Sequence, residues 1–252
     1  MAEDPGISKE RLKRLARLDR RKVREELGLR LIEGCRLVEE ALVAGAVAEV
    51  FARADAADGW RVRAGDEVPV HAVATHDLER LADVRTPQEV VAIGPLPVLA
   101  AAAAILESAR RVLVLDAVQD PGNVGGLART ARALGVDGLL VTAGTADLSS
   151  PKVLRASAGA LFHLPAGLLD DATTLPLLAA THGHALVVPV VAGGRDLREV
   201  SAPERFAIVA GNEGAGTSLA SGDALRVTIP MKNGADSLNV GAAFAAILGR
   251  WL

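Results

Sequence analysis

The chain predicts an α/β protein in two parts: a small mixed unit, then a mainly parallel sheet with helices on both faces. Three features carry that expectation. Continuous apolar runs at 111–116, 138–142, 185–191, 206–210 and 226–229 are separated by helical stretches, as for strands buried on both faces. Gly94-Pro95-Leu96-Pro97 reads as a hinge. Ahead of it, short strands and helices alternate as in a compact unit of its own.

Composition sets the outer bounds. A length of 252 residues suits one large domain or two modest ones. Half the residues are hydrophobic but only 2% are aromatic, so Ala, Val and Leu must build the core. The net charge of −3 is uninformative as an average, whereas its distribution is not. Lys9, Arg11, Lys13, Arg14, Arg17, Arg20, Arg21, Lys22, Arg24 and Arg30 stand against four acids in the same stretch. Such a run is either a solvated helix or an electrostatic footprint for nucleic acid. Cys35 is alone, which excludes an intrachain disulfide and a cysteine metal site. The five histidines lack metal-ligand spacing; His182 and His184 read as structural, and no metal is expected. The charged N-terminus has no apolar segment of the secretory kind, and the run 98–106 is too short to span a bilayer. A cytoplasmic protein without membrane contact is expected.

The elements follow in order. Leu12, Leu15, Leu18 and Val23 give one basic helix over 8–26. A strand at 29–33 turns at Gly34 into a helix over 35–44, closed by Gly45. Strands follow at 47–51 and 68–73, a helix capped by Thr75 runs to Leu81, and 89–93 is a strand. The Ala-rich stretch 99–109 favours helix. These elements divide the chain into an N-terminal domain at 1–97, a linker helix at 98–108 and a C-terminal domain at 109–252. In the last, helices at 123–134 and 173–181 separate the apolar strands.

Parallel sheets bind ligands outside the carboxyl ends of their strands, and three polar or Gly-rich loops lie there. After Leu115, Pro121-Gly122 makes a turn, Asn123 caps a helix, Gly125 and Gly126 allow close backbone approach, and Arg129 follows on the first turns. Neither GxGxxG nor GxxxxGK is matched, which weakens a nicotinamide-dehydrogenase reading. After Ala210, Gly211-Asn212-Glu213-Gly214 sets a carboxylate between glycines, where it orients a ligand hydroxyl or a cation, or is simply solvated. After Ile229, Pro230 ends the strand and Met231 leads to Ser237, an N-cap for an Ala-rich final helix. Ser237-Leu238-Asn239 would stand at that helix's mouth, where unpaired N–H groups face any ligand.

In this order and spacing, the three loops resemble those of the SpoU family, the TrmH-like branch of the SPOUT RNA methyltransferases. The match lies in Asn123-Val-Gly followed by Arg129-Thr-Ala, Gly211-Asn-Glu-Gly, and Ile229-Pro-Met with Ser237-Leu-Asn-Val. Residues 154–162 and 31–42 are similar to the family's internal segment and N-terminal substrate-binding domain. The resemblance covers nearly the whole chain. It implies a trefoil-knotted C-terminal domain that general topology rules would not propose, with a smaller α/β/α RNA-binding domain ahead of it.

The resemblance also implies a function: methyl transfer from S-adenosylmethionine to a ribose 2′-hydroxyl of structured RNA, rRNA rather than tRNA, by a homodimer. Gly211, Ile229 and Leu238 match the family's cofactor positions, with Thr142, Asn212, Gly214, Met231, Ser237 and Asn239 as neighbours. Arg129 matches the residue often assigned as base. A guanidinium with a pKa above roughly 12 stays protonated, so holding a phosphate and stabilising alkoxide charge suits it better. Glu213 would orient Arg129, while Ser237, Asn239 and Asn123 complete the catalytic set. Lys9, Arg11, Lys13, Arg14, Arg17, Arg20 and Arg21 would bind RNA, because few aromatics are present for base stacking. Glu89 departs from the glycine common at its position in relatives. A non-catalytic RNA-binding or ribosome-assembly protein on the same fold, and a Rossmann-type NAD-dependent oxidoreductase, are the competing functions.

Overall fold

The computed structural model describes residues 7–82, 88–212, 217, 219, 223–232 and 237–252. The chain forms two compact units, one of Met1–Pro97 with Asp147–His163, the other of Val98–Ala146 with Leu164–Leu252.

The first unit begins with α1 (Lys9–Leu15) and α2 (Arg21–Leu27), followed by β1 (Leu29–Glu33) and α3 (Cys35–Val43). β2 (Glu49–Arg53), α4 (Ala57–Ala64), β3 (Val70–Val73), α5 (Thr75–Leu81) and β4 (Val90–Pro95) complete it. The sheet order is β1-β4-β2-β3, antiparallel except for the β2–β3 pair. Successive strand residues point to opposite faces, and both faces are covered. Ile32, Val50, Ala52 and Val90 pack with Leu37, Val38 and Trp60; Leu31, Phe51, Val91 and Ile93 pack with Leu15, Leu18, Leu78 and Leu81. The result is the α/β/α sandwich expected.

The second unit carries β5 (Ala100–Ala101), α6 (Ala102–Ser108), β6 (Arg111–Leu115), α7 (Pro121–Ala133) and β7 (Gly138–Thr142). The chain then makes α8 (Pro151–Ser157), which belongs to the first unit. It returns with β8 (Ala166–Leu169), α9 (Leu175–Thr181), β9 (Ala185–Pro189), β10 (Arg195–Asp196), β11 (Phe206–Ala210), β12 (Leu225–Thr228) and α10 (Val240–Trp251). Eight parallel strands run in the order β10-β12-β9-β11-β6-β7-β8-β5. Val112 to Leu115 and Phe206 to Ala210 are all buried, which is why their sequence is continuously apolar rather than alternating.

Several elements differ from expectation. The basic helix over 8–26 is two helices: Ser8 caps the first by accepting the Arg11 N–H at 3.2 Å, and the chain turns before Arg21. Arg24 holds that turn. Its buried guanidinium donates to the carbonyls of Leu18 (2.8 Å) and Asp19 (2.7 Å) and pairs with Asp147 at 2.5 Å. The helix α4 was not among the expected elements; buried Trp60 anchors it to the sheet. Thr75 is the first residue of α5 rather than its cap. The Ala-rich stretch opens as a strand, because Ala100 and Ala101 pair with β8, and only 102–108 is helical.

Asp147–His163 lies inside the stretch that sequence patterning assigned to the C-terminal domain, yet it is part of the first unit. Leu154 enters that unit's core, Arg155 pairs with buried Glu33, and His163 meets Glu40 at 2.9 Å. Arg30 stacks over Phe162 at 4.8 Å, and burial pulls its guanidinium down to about 10, still cationic at neutral pH.

In the second unit, Arg205 finishes the end of α6 by donating to the carbonyls of Leu106 (2.8 Å) and Ala109 (2.9 Å). Buried His184 joins it, its Nε2 lying 3.1 Å from the Ala109 carbonyl oxygen. That contact makes Nε2 the protonated nitrogen of a neutral ring, and His184 is structural. Burial, aided by nearby Arg205, holds its pKa below 6.5. The unfolded chain therefore binds the extra proton more readily, and stability is full above about 6.5 and falls as the pH drops through that value. We expect the urea midpoint to fall from pH 7.5 to 5.5 and the slope to flatten in His184→Gln; parallel profiles would contradict this assignment.

Candidate active site

A cavity of about 570 Å³ opens at the carboxyl ends of β9, β11 and β12, within the roughly 300–1,000 Å³ usual for small-molecule sites. Its wall comprises Pro189 to Val191, Val209 to Asn212, Thr217, Val227, Ile229, Met231 and the mouth of α10 from Ser237 to Val240, with Ala243 and Phe244. Val191 (67% exposed) and Leu238 (43%) are large apolar side chains left open to solvent there, so a ligand with an apolar or aromatic face would cover them. Among the described residues the lining has no charged side chain, and recognition falls to backbone groups, Asn212, Thr217, Ser237 and Asn239.

Of the expected cofactor positions, Gly211, Asn212, Ile229, Met231, Ser237, Leu238 and Asn239 stand in this wall. Thr142 is outside it: its hydroxyl accepts the Ala117 N–H at 2.9 Å and lies 3.1 Å from Asp116 Oδ1. Gly214 and Glu213 lie outside the described residues.

Both helix mouths begin elsewhere than expected. Asp120, not Asn123, caps α7, accepting the Asn123 N–H at 2.8 Å, with Pro121 at the first position where its missing N–H costs nothing. Asn239, not Ser237, caps α10, accepting the Gly241 N–H at 2.9 Å, so that Ser237 and Leu238 are exposed ahead of the helix. The Asn239 amide approaches Asn123 Oδ1 at 3.4 Å, which brings the first and third loops together at one edge of the cavity. Arg129 stands on the exposed side of α7, outside the cavity wall, and makes no ion pair among the described residues.

The residues expected to bind RNA are all exposed. Arg11 pairs with Glu49 (2.7 Å), Arg14 with Glu26 (3.3 Å) and Arg21 with Glu25 (2.7 Å). Lys9, Lys13, Arg17 and Arg20 form no ion pair among the described residues. Among the described residues no helix is long and apolar enough to cross a membrane, and no cluster of three His, Cys, Asp or Glu could hold a metal.

Comparison with known proteins decides the family. Residues 110–249 match the model of the SpoU rRNA Methylase family. The chain belongs to the SpoU family. Its residues 9–92 match the MRM3-like substrate binding domain, which contains both basic helices. Among curated relatives of this SpoU chain, the 23S rRNA (guanosine(2553)-2′-O)-methyltransferase RlmP of Bacillus subtilis (strain 168) is 33% identical, covering 98% of each chain. A putative TrmH-family RNA methyltransferase from Porphyromonas gingivalis superposes with a TM-score of 0.84 at 30% identity, covering 97% of this chain and 98% of that one. The SpoU methyltransferase AviRb from Streptomyces viridochromogenes, solved in complex with AdoMet, gives 0.83 at 27% identity over 96% and 97%. The resemblance read from the loops is therefore borne out, as is the α/β class with its parallel sheet. The two-sided network around Asp116, with Ala117 and Thr217, was not foreseen. The signal available was an acid ending an apolar strand.

Proposed function

We propose that the protein transfers a methyl group from S-adenosylmethionine to a ribose 2′-hydroxyl of ribosomal RNA. One observation carries this reading: an apolar, backbone-lined cavity containing Gly211, Ile229 and Leu238 meets the Asn123–Asn239 contact at its edge. The donor's sulfonium supplies an electrophilic methyl when bound. The chain's own task is to hold donor and hydroxyl in line, because alignment is worth several kcal/mol (about 7–11 at its best). Strand-end N–H and C=O groups at 209–212 read the adenine edge, while Val191, Ile229 and Leu238 cover its faces. Ser237, Asn239 and Asn123 orient the ribose. Arg129 holds the neighbouring phosphate and stabilises charge growing on the oxygen, oriented by Glu213.

Ribosomal RNA is favoured because the Bacillus relative named for a 23S rRNA activity matches along its whole length. The basic helices α1 and α2 then track the phosphate backbone, in the cytoplasm where that RNA is made. Replacing Lys13 and Arg17 by alanine should reduce the slope of log affinity against log salt by about one for each side chain. An unchanged slope would remove this face from the RNA interface.

We further propose a trefoil thread and a homodimer. The order β12-β9-β11-β6 requires the chain after β11 to cross to the far side of β9, as a threaded loop would. Ala242, Ala246 and Gly249 form an exposed, small-residue face on α10 suited to close helix packing. Incubation with methyl-labelled S-adenosylmethionine and separate rRNA and tRNA pools tests the function. Label is expected in 23S rRNA; label in tRNA alone would contradict the substrate, and none in any RNA the reaction.

A further inference from the structure

Asp116 directly follows β6 and is buried, 8% exposed, beside the cavity loops. Each of its carboxylate oxygens has one hydroxyl. Thr217 donates to Oδ2 at 2.6 Å, and Thr142 lies 3.1 Å from Oδ1. Thr217 lines the cavity, and its oxygen also accepts the Leu219 N–H at 3.1 Å, so its one proton is committed to Asp116. The next residue, Ala117, has a φ of +51°, in the left-handed region that costs a residue with a Cβ about 1–2 kcal/mol. It is held there from both sides: its N–H donates to Thr142 Oγ1 at 2.9 Å and its carbonyl accepts from Asn212 Nδ2 at 3.1 Å. Strain at a non-glycine residue persists where neighbours over-determine it.

We propose that Asp116 is a positioning residue for methyl transfer. By gripping Thr217 and Thr142 at once, it locks the β11 loop, whose Asn212 and Thr217 line the cavity, to the turn that leads into α7 with Asn123 and Arg129. The donor site and the RNA-facing helix are thereby set in one register. This inference rests on the methyltransferase function proposed above, and deepens it.

The test is a double-variant cycle read by calorimetry with S-adenosylmethionine and by rRNA methylation, below the melting temperature of every variant. Asp116→Asn, which keeps one acceptor and loses the other, is expected to raise the cofactor Kd about tenfold and lower kcat about tenfold, the scale of one charge-assisted hydrogen bond. KM for RNA should stay within about twofold. Thr217→Val should reproduce the cofactor effect, and the double variant should be no worse than either alone, because both break one contact. Thr217→Ser, which keeps the hydroxyl, should recover affinity to within about threefold of the wild type. A lowered melting temperature with unchanged Kd and kcat, or effects that multiply in the double variant, would overturn the proposal. If Asp116→Asn does not fold, equal affinities for Thr217→Val and wild type would overturn it instead. Wild-type protein that fails to bind S-adenosylmethionine would sink the functional proposal as well, whereas a binding wild type with an indifferent Asn variant would sink this one only.

Discussion

Arg129→Ala is expected to lower kcat about 10³-fold while leaving the S-adenosylmethionine Kd within about twofold. The separation follows from where the residue stands. It lies on the exposed side of α7, outside the cavity wall, so cofactor affinity does not draw on it. In the proposed mechanism its charge is needed only when RNA is present and negative charge grows on the attacking oxygen. Arg129→Lys should rescue little, because a point charge does not reproduce the planar fork that grips a phosphate. Rapid-quench methylation alongside calorimetry gives both numbers. Equal loss of affinity and turnover would move Arg129 into the cofactor site, and unchanged turnover would remove it from the mechanism.

Gly94→Ala should destabilise the first unit selectively. Gly94 lies in β4, between β1 and β2, and a Cβ built there would sit 2.0 Å from the carbonyl oxygen of Ala46. The contact is with backbone on one side and with Ile32 on the other, so no side-chain rotation relieves it. A cost of about 3 kcal/mol is expected, the upper end for an overpacked core. The two tryptophans separate the units: Trp60 is buried in the first, and Trp251 bonds the Val200 carbonyl at 2.9 Å in the second. Single-tryptophan variants should show the urea midpoint falling at Trp60 and holding at Trp251. An unmoved Trp60 transition would show that the strand tolerates the methyl group.

Much of the second unit was legible because burial on both faces leaves an unbroken apolar signature, as in β6, β7 and β11. The helix starts were legible in type but shifted in place. Asn123 and Ser237 are good caps in isolation, yet Asp120 with Pro121 behind it starts α7 earlier, and Asn239 takes α10. What local pattern could not reveal depends on distant partners. Arg24 reads as one more surface cation until Leu18, Asp19 and Asp147 surround it. The helix α8 lies between two strands of one unit but packs in the other, a placement set by Leu154 and Arg155 rather than by periodicity. Of the cavity wall, Gly211, Ile229 and Leu238 were singled out through the resemblance to the SpoU loops. Asp116 was not, because its partners Thr142 and Thr217 lie far along the chain.

The position of the transferred methyl group within the nucleotide is the decisive observation. RNA methylated by the protein should be digested to nucleosides and the product resolved by mass spectrometry into base and sugar fragments. The cavity and helix mouths described above predict the methyl group on the ribose, at a site that also resists alkaline cleavage. A methyl group on the base would contradict the assignment of Asn123, Asn239 and Arg129 to a 2′-hydroxyl.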